Sequence, residues 1–269
     1  MLLGGAVENI VLNDYDRAIY SFWRALKEET DELLSLLVNT PVTVEEWHNQ
    51  REIYRGEGDK YSLRLGFATL YLNRTNRSGI LGAGPIGGLA QGGVLPPQEG
   101  VQAYKIDARF NKETLRRRIV ALGERRDSIK IHGEEIRDFI NNVVPQYCGN
   151  ALLYFDPPYY VKGKRLYKNF FAPHDHAEIA RYIKNIEGCD WVITYDDTPE
   201  IREIYGDYPM YGYELSYSAA SRSKGAELLI LKDRGLMPPL DCAELSKFEI
   251  RVAEDRKILC KIISKNMGV

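Results

Sequence analysis

The sequence predicts an α/β fold: a mostly parallel sheet with helices on both faces, interrupted by an inserted, mainly helical subdomain. Three observations predict it. Short apolar runs alternate with amphipathic stretches over 128–205, the order in which strand–helix–strand units build a parallel sheet. Two further apolar runs, over 211–216 and 227–232, are close enough to close that sheet as an antiparallel pair. More than a hundred residues separate the first strand, over 8–12, from the next, near 128. A crossover needs only roughly a dozen residues, so this interval holds an insertion.

The elements follow in order. Residues 8–12 form a short buried strand that ends at Asn13-Asp14. Ala18, Ile19, Phe22, Trp23 and Leu26 recur at helical spacing, which predicts a helix over 15–26. A second helix over 31–38 stops before Pro41, and Thr43 with Glu46 forms a capping-box pattern that opens a third through Trp47 and Ile53. Residues 78–100 are rich in glycine and proline. Strands then fall over 128–132, 151–155 and 191–195, with helices over 134–142, 175–186 (Asp175 as cap) and 199–205. Residues 247–263 alternate as a hairpin does. The catalytic domain is thus expected over 1–38 and 111–232, the insertion over 39–110, and a C-terminal extension without an assigned role over 233–269.

Composition excludes several classes. Hydrophobic content of 44% and charged content of 28% belong to a soluble globular protein rather than a disordered chain. A formal net charge of −2 does not advertise a polyanion partner, although a local basic face can still bind phosphates. Four cysteines without a Cys-x-x-Cys pair give no zinc site and no redox dithiol; reduced thiols in a cytoplasmic protein are expected. No apolar run approaches the roughly 20 residues that cross a bilayer, and no secretory signal is seen.

The chemistry concentrates at the strand over 151–155. It runs into Asp156-Pro157-Pro158-Tyr159-Tyr160, and neither proline can donate to a ladder, so the strand stops there. A stiff loop follows at its carboxyl end, where open α/β sheets place their ligands. The prolines fix φ and restrict the residues before them, so the Asp156 and Pro157 carbonyls take set directions. Tyr159 adds an aromatic face, and rigid acceptors beside a stacking surface suit a planar base held by its amino group. Asp14, at the end of the first strand, sits where a carboxylate accepts from ribose hydroxyls. Glu134-Glu135-Ile136 offers a second carboxylate with an apolar cover for an adenine ring. Basic side chains cluster at Arg74 and Arg77, at Arg116-Arg117-Arg118, and at Lys162, Lys164, Arg165 and Lys168. His174 and His176 do not share a helix face, so a capped helix explains them better than a metal, and no metal site is expected.

Together these residues resemble the Dam-like family of DNA adenine N(6)-methyltransferases. The resemblance rests on Ile10-Val11-Leu12-Asn13-Asp14, on Asn73-Arg74-Thr75-Asn76-Arg77-Ser78-Gly79, on Lys105-Ile106-Asp107-Ala108-Arg109-Phe110-Asn111, on Asp156-Pro157-Pro158-Tyr159-Tyr160, and on Ile193-Thr194-Tyr195-Asp196. It covers roughly residues 6–232. It implies a Rossmann-like methyltransferase sheet, S-adenosylmethionine as methyl donor, and double-stranded DNA with a flipped adenine as substrate. A cognate restriction endonuclease in a restriction–modification system is a further partner it suggests. Carried over, Asp156, Pro157, Pro158 and Tyr159 form the catalytic set, and Asp14, Glu135, Ile136 and Asp156 face the cofactor. Arg74, Asn76, Arg77, Lys162 and Lys164 face the DNA. Glu135 stands where aspartate is more usual.

The family begins with a lysine- and tryptophan-containing segment and a strand ending in a Phe-x-Gly-Gly-type turn. Here Gly4-Gly5 stands too close to Asp14 to leave room for that turn and a helix. The resemblance is therefore to an amino-terminally shortened member, lacking the first strand and glycine loop, with weak cofactor binding and, at the extreme, no activity. The alternatives are a non-catalytic DNA-binding remnant and a methyltransferase acting on RNA or protein nitrogen.

Overall fold

The computed structural model describes residues 1–56, 60–88, 105–161, 171–216, 224–236 and 258–263. They fall into two compact units: Met1–Tyr15 with the described residues from His132 onward, and Asp16–Ile131. Strands β1 (Asn9–Asn13), β2 (Ile129–His132), β3 (Ala151–Asp156), β4 (Asp190–Asp196), β5 (Met210–Ser216), β6 (Lys224–Leu231) and β7 (Ile258–Ile263) form one sheet, in the order β2-β1-β7-β3-β4-β6-β5. β7 is parallel to both β1 and β3, β3 is parallel to β4, and β6 is antiparallel to β4 and to β5. The expected parallel sheet with an antiparallel closing pair is therefore present.

β3 and β4 are buried along most of their length, as strands covered on both faces must be. Phe155, Trp191, Ile193, Tyr195 and Ile230 pack with Phe139, Ile179 and Ile183 from the adjoining helices into one core. Each such side chain contributes about 1.5–3 kcal/mol on burial. That core immobilises the strand ends that carry the site.

Four details differ from expectation. Residues 258–263 are a central parallel strand rather than part of a hairpin. The helix after β2 is a single turn, α6 (Ile136–Asp138), that widens into a π-turn over Phe139–Val143. Pro145 follows within the next turn; without an N–H and with its ring against the carbonyl four residues back, it cannot continue an α-helix. α7 (Pro173–Lys184) has Ala172 as its N-cap and Pro173 in its first turn. Asp175 serves it from inside, accepting from Ala172 N at 2.7 Å. Cys148 and Cys189, expected as free thiols, are joined in a disulfide. They come from the segments that enter β3 and β4, where Gly149 N also donates to Gly188 O at 2.7 Å.

The second unit is helical: α1 (Arg17–Glu28), α2 (Thr30–Asn39), α3 (Val44–Gly56), α4 (Leu63–Thr75) and α5 (Lys112–Gly123). It extends beyond 39–110 on both sides. α4 is buried from Leu65 to Leu72, as a helix apolar all round must be. Gly66 makes this possible, because a Cβ there would lie 2.6 Å from the Ser21 carbonyl oxygen. Only half of the expected capping box at α3 forms. Thr43 Oγ1 accepts from Glu46 N at 3.1 Å, but Glu46 turns to Asn49 and Gln50, and Thr43 N donates to Tyr71 Oη at 3.3 Å. Among the described residues no helix is long and apolar enough to cross a membrane.

Candidate active site

β3 delivers Asp156 to the carboxyl edge of the sheet, where Pro157 and Pro158 end the strand. Asp156 is 3% exposed, and its Oδ1 accepts from Thr194 Oγ1 at 3.0 Å. Tyr154 Oη lies 2.9 Å from the same threonine oxygen. Thr194 spends its proton on the carboxylate, so the phenol donates to the threonine. Burial, reinforced by the Asp156 charge, raises the Tyr154 pKa far above its ordinary value, which keeps that proton on the phenol. The chain Tyr154 to Thr194 to Asp156 thus fixes one carboxylate oxygen with a set polarity. A buried charge without such donors costs several kcal/mol.

The loop beyond Pro158 is tied to β4 and β6. Tyr160 N donates to Asp196 Oδ1 at 2.8 Å and Val161 N to Asp196 Oδ2 at 3.0 Å. Tyr159 is half-buried and its hydroxyl donates to Glu227 Oε1, while Tyr213 Oη donates to Glu227 Oε2 at 2.7 Å. The Tyr160 ring lies 4.9 Å from the buried His176 ring, whose Nδ1 is 2.9 Å from Tyr195 Oη. Burial lowers the His176 pKa, against a smaller opposing pull from Asp196 and Asp175. His174 lies exposed beside Asp175 instead, so the two histidines do not converge.

Asp14 sits at the same carboxyl edge, just past β1, and is 4% exposed. β7 lies between β1 and β3, with Asn13 paired to Ile262 and Asp156 to Ile263. Two strand spacings of about 4.8 Å therefore separate the strand ends that carry the two carboxylates. Asn13 locks this corner. Its Nδ2 donates to Glu134 O at 3.0 Å and its Oδ1 accepts from Glu134 N at 2.9 Å, while Asp14 N donates to His132 O at 3.1 Å. Glu135 is the N-cap of the following turn. It accepts from the Arg137 backbone and pairs with the Arg137 guanidinium at 2.9 Å. Ile136 is only 6% exposed and belongs to the core.

In the helical unit, Arg77 is exposed, and its backbone N donates to Gly84 O at 3.0 Å. Arg74 is half-buried, and burial, followed by the nearby charges of Arg109 and Arg118, lowers its pKa. Asn76, expected among the DNA contacts, has no exposed surface at all. Its Oδ1 accepts from Trp47 Nε1 at 2.6 Å and its Nδ2 donates to Ile80 O at 2.9 Å and Leu81 O at 3.0 Å. It braces the turn that presents Arg77 and offers nothing to a base. Lys162 and Lys164 lie outside the described residues.

The order of these elements, with a carboxylate after β1 and Asp-Pro-Pro-Tyr after β3, has a counterpart among known families. The profile of the D12 class N6 adenine-specific DNA methyltransferases matches residues 2–219. The chain belongs to that family. No curated protein matches it individually. As a D12-class chain, it carries the family's link to adenine methylation of DNA on a mixed α/β scaffold. Four residues around its Asp-Pro-Pro-Tyr loop were not assigned roles from sequence: Thr194, Asp196, Tyr213 and Glu227. Glu227 carries a legible signal, a lone carboxylate in the apolar run Ala226-Glu227-Leu228-Leu229-Ile230-Leu231.

Proposed function

We propose that this chain transfers a methyl group from S-adenosylmethionine to the exocyclic amine of an adenine swung out of double-stranded DNA. The observation that carries the reading is Asp156: a buried carboxylate held by Thr194, at a strand end closed by two prolines, in a chain of the D12 family.

The chemistry asks little more than positioning. An adenine amine is a poor nucleophile because its lone pair is spread into the ring. The Asp156 carboxylate and the Pro157 carbonyl both accept from that amine and draw the nitrogen towards tetrahedral geometry. They also stabilise the positive charge that grows on it, and the Asp156 carboxylate, already accepting from one N–H, takes the proton that the nitrogen sheds. Thr194 keeps the carboxylate from turning away, and the prolines keep the carbonyl fixed, so little reorganisation is needed at the moment of transfer. The Tyr159 ring stacks on the base. Extrusion costs a few kcal/mol, and one aromatic stack returns about 1–3 kcal/mol of it.

Two buried carboxylates at strand ends two spacings apart suit the nucleoside half of the cofactor. Asp14 would accept from the ribose hydroxyls and Asp156 would lie on the sulfonium side. Glu135 and Ile136 would take the adenine, with Glu135 exchanging its Arg137 partner for the ring amine. When bound, the cofactor supplies an electrophilic methyl group. We place the ribose contact on Asp14, which lies buried at the carboxyl end of β1. Arg74 and Arg77, with Lys162 and Lys164, would meet the phosphates.

The test compares the chain with Asp156→Ala, measuring tritium transfer from labelled S-adenosylmethionine to an adenine-containing duplex, and duplex binding in parallel. Transfer lost with binding retained supports the assignment. Equal loss of both, or transfer undiminished, defeats it.

A further inference from the structure

Asp196 and Glu227 stand directly opposite one another on the antiparallel strands β4 and β6. Both are buried, at 8% and 6% exposure. Like charges facing across a strand pair are destabilising, so a structure that keeps this arrangement uses it for something. Both carboxylates are turned to the Asp-Pro-Pro-Tyr loop. Asp196 takes two consecutive backbone amides, Tyr160 N on one oxygen and Val161 N on the other. Glu227 takes the side chain of the residue before them, through the Tyr159 hydroxyl, and its second oxygen is held by Tyr213, its cross-strand neighbour on β5. Three successive residues of the loop are therefore gripped by two carboxylates from adjacent strands, one by backbone and one by side chain.

We propose that Asp196 and Glu227 are a positioning pair that clamps the loop Tyr159–Val161, so that the Tyr159 ring is held by both ends before any base arrives. This deepens the adenine-transfer reading and, in its stacking part, rests on it. A tyrosine anchored only at its Cβ swings about χ1; one whose hydroxyl is tied to a strand has its long axis held at both ends. The consequence is a base platform that is preorganised rather than formed on binding, and its cost in ordering is met at folding.

Two measurements decide it. The first needs no ligand: limited chymotrypsin digestion of the whole chain, with cleavage after Tyr159 and Tyr160 read by mass spectrometry. Tyr15, 53% exposed, is the internal reference. Glu227→Ala should raise cleavage in the loop about tenfold relative to Tyr15, the factor that corresponds to losing one net buried hydrogen bond, and Asp196→Ala, which removes two amide bonds, should raise it at least as much. Asp196→Asn and Glu227→Gln keep one acceptor each and should restore part of the protection. They also keep the test valid where an alanine variant fails to fold. An unchanged ratio in all four variants overturns the clamp. The second measurement is the fluorescence lifetime of 2-aminopurine placed at the target adenine of a bound duplex. In Glu227→Ala and Tyr159→Phe the short-lived, ring-stacked component should shrink at least threefold. An unaltered lifetime distribution overturns the stacking role. A wild-type chain that binds duplex with no unstacked or ring-stacked 2-aminopurine counts against adenine transfer itself, and the cleavage ratio then decides the clamp alone.

Discussion

Asn76→Ala separates a brace from a DNA contact. The substitution removes three hydrogen bonds: one from Trp47 Nε1 and two to the carbonyls of Ile80 and Leu81. Trp47 is fully buried, so its indole N–H is left with no acceptor, at a cost of about 1–3 kcal/mol. The two lost carbonyl bonds add about 1 kcal/mol each in net terms. The sum is roughly 3–5 kcal/mol, or a fall in unfolding temperature on the order of 10 °C. Asn76→Asp should lose nearly as much, because its carboxylate still accepts from Trp47 but turns a negative oxygen on two carbonyls. Calorimetry or far-ultraviolet circular dichroism reads the shift. Arg77→Ala is the contrast. Its side chain is exposed, so stability should hold within about 0.5 kcal/mol, while the slope of log affinity against log salt for duplex DNA falls by about one. If Asn76→Ala melted with the wild type but lost duplex affinity at fixed salt, the brace would be refuted and a direct contact restored.

Further expectations concern the packing around the site. Gly66→Ala forces a methyl against the Ser21 carbonyl of the neighbouring helix; overpacking of about 1–3 kcal/mol outweighs the roughly 1 kcal/mol gained in helix propensity. The net loss should appear as a lower melting temperature, and an unchanged or higher one would mean that α1 and α4 move apart freely. Reducing the Cys148–Cys189 disulfide releases a loop of 41 residues' separation, for which chain entropy gives about 4 kcal/mol. Urea midpoints with and without reductant measure this, and iodoacetamide labelling of both cysteines in the untreated chain would show instead that they are thiols. Burial lowers the His176 pKa, so the unfolded chain takes up the extra proton. Stability from this group is complete above the unfolded value of about 6.5 and is lost as pH falls through and below it, with a slope of up to about 1.4 kcal/mol per pH unit. His176→Gln should flatten that part of the stability profile; an identical profile would show that the ring does not titrate differently on unfolding.

What could be read from the residues, and what could not, divides along a physical line. The end of β3 at Asp156 was legible because prolines act locally: Pro157 and Pro158 stop a strand whatever surrounds them. Alternating apolar runs placed β3, β4 and the β5–β6 pair for the same reason. The place of β7 was not legible, since strand order is settled by contacts between residues such as Leu153 and Cys260, far apart in the chain. Its Ile-Leu-Cys-Lys-Ile-Ile pattern is compatible with an edge or a centre. The partnership of Cys148 with Cys189 was hidden likewise, because spacing alone does not set connectivity. Asn76 misled for the opposite reason. A polar amide within a charged motif reads as a contact, and only Trp47, 29 positions away, turns it inward.

The two halves of the proposed site are held by different structure, and this separates their failures. The side we assign to the base depends on β3, β4, β6 and β5: Thr194 holds Asp156, and Asp196 and Glu227 hold the loop beyond it. The side we assign to the cofactor depends on the corner where β1 meets the end of β2, through Asn13 and Glu134. Asn13→Ala should therefore loosen Asp14 and weaken cofactor binding, yet leave chymotrypsin protection of Tyr159 and Tyr160 as it was. Glu227→Ala should do the reverse. If each substitution disturbed both readouts to the same degree, the two carboxyl-edge corners would be one cooperative element, and the separate positioning argued for Asp14 and for Tyr159 would fail together.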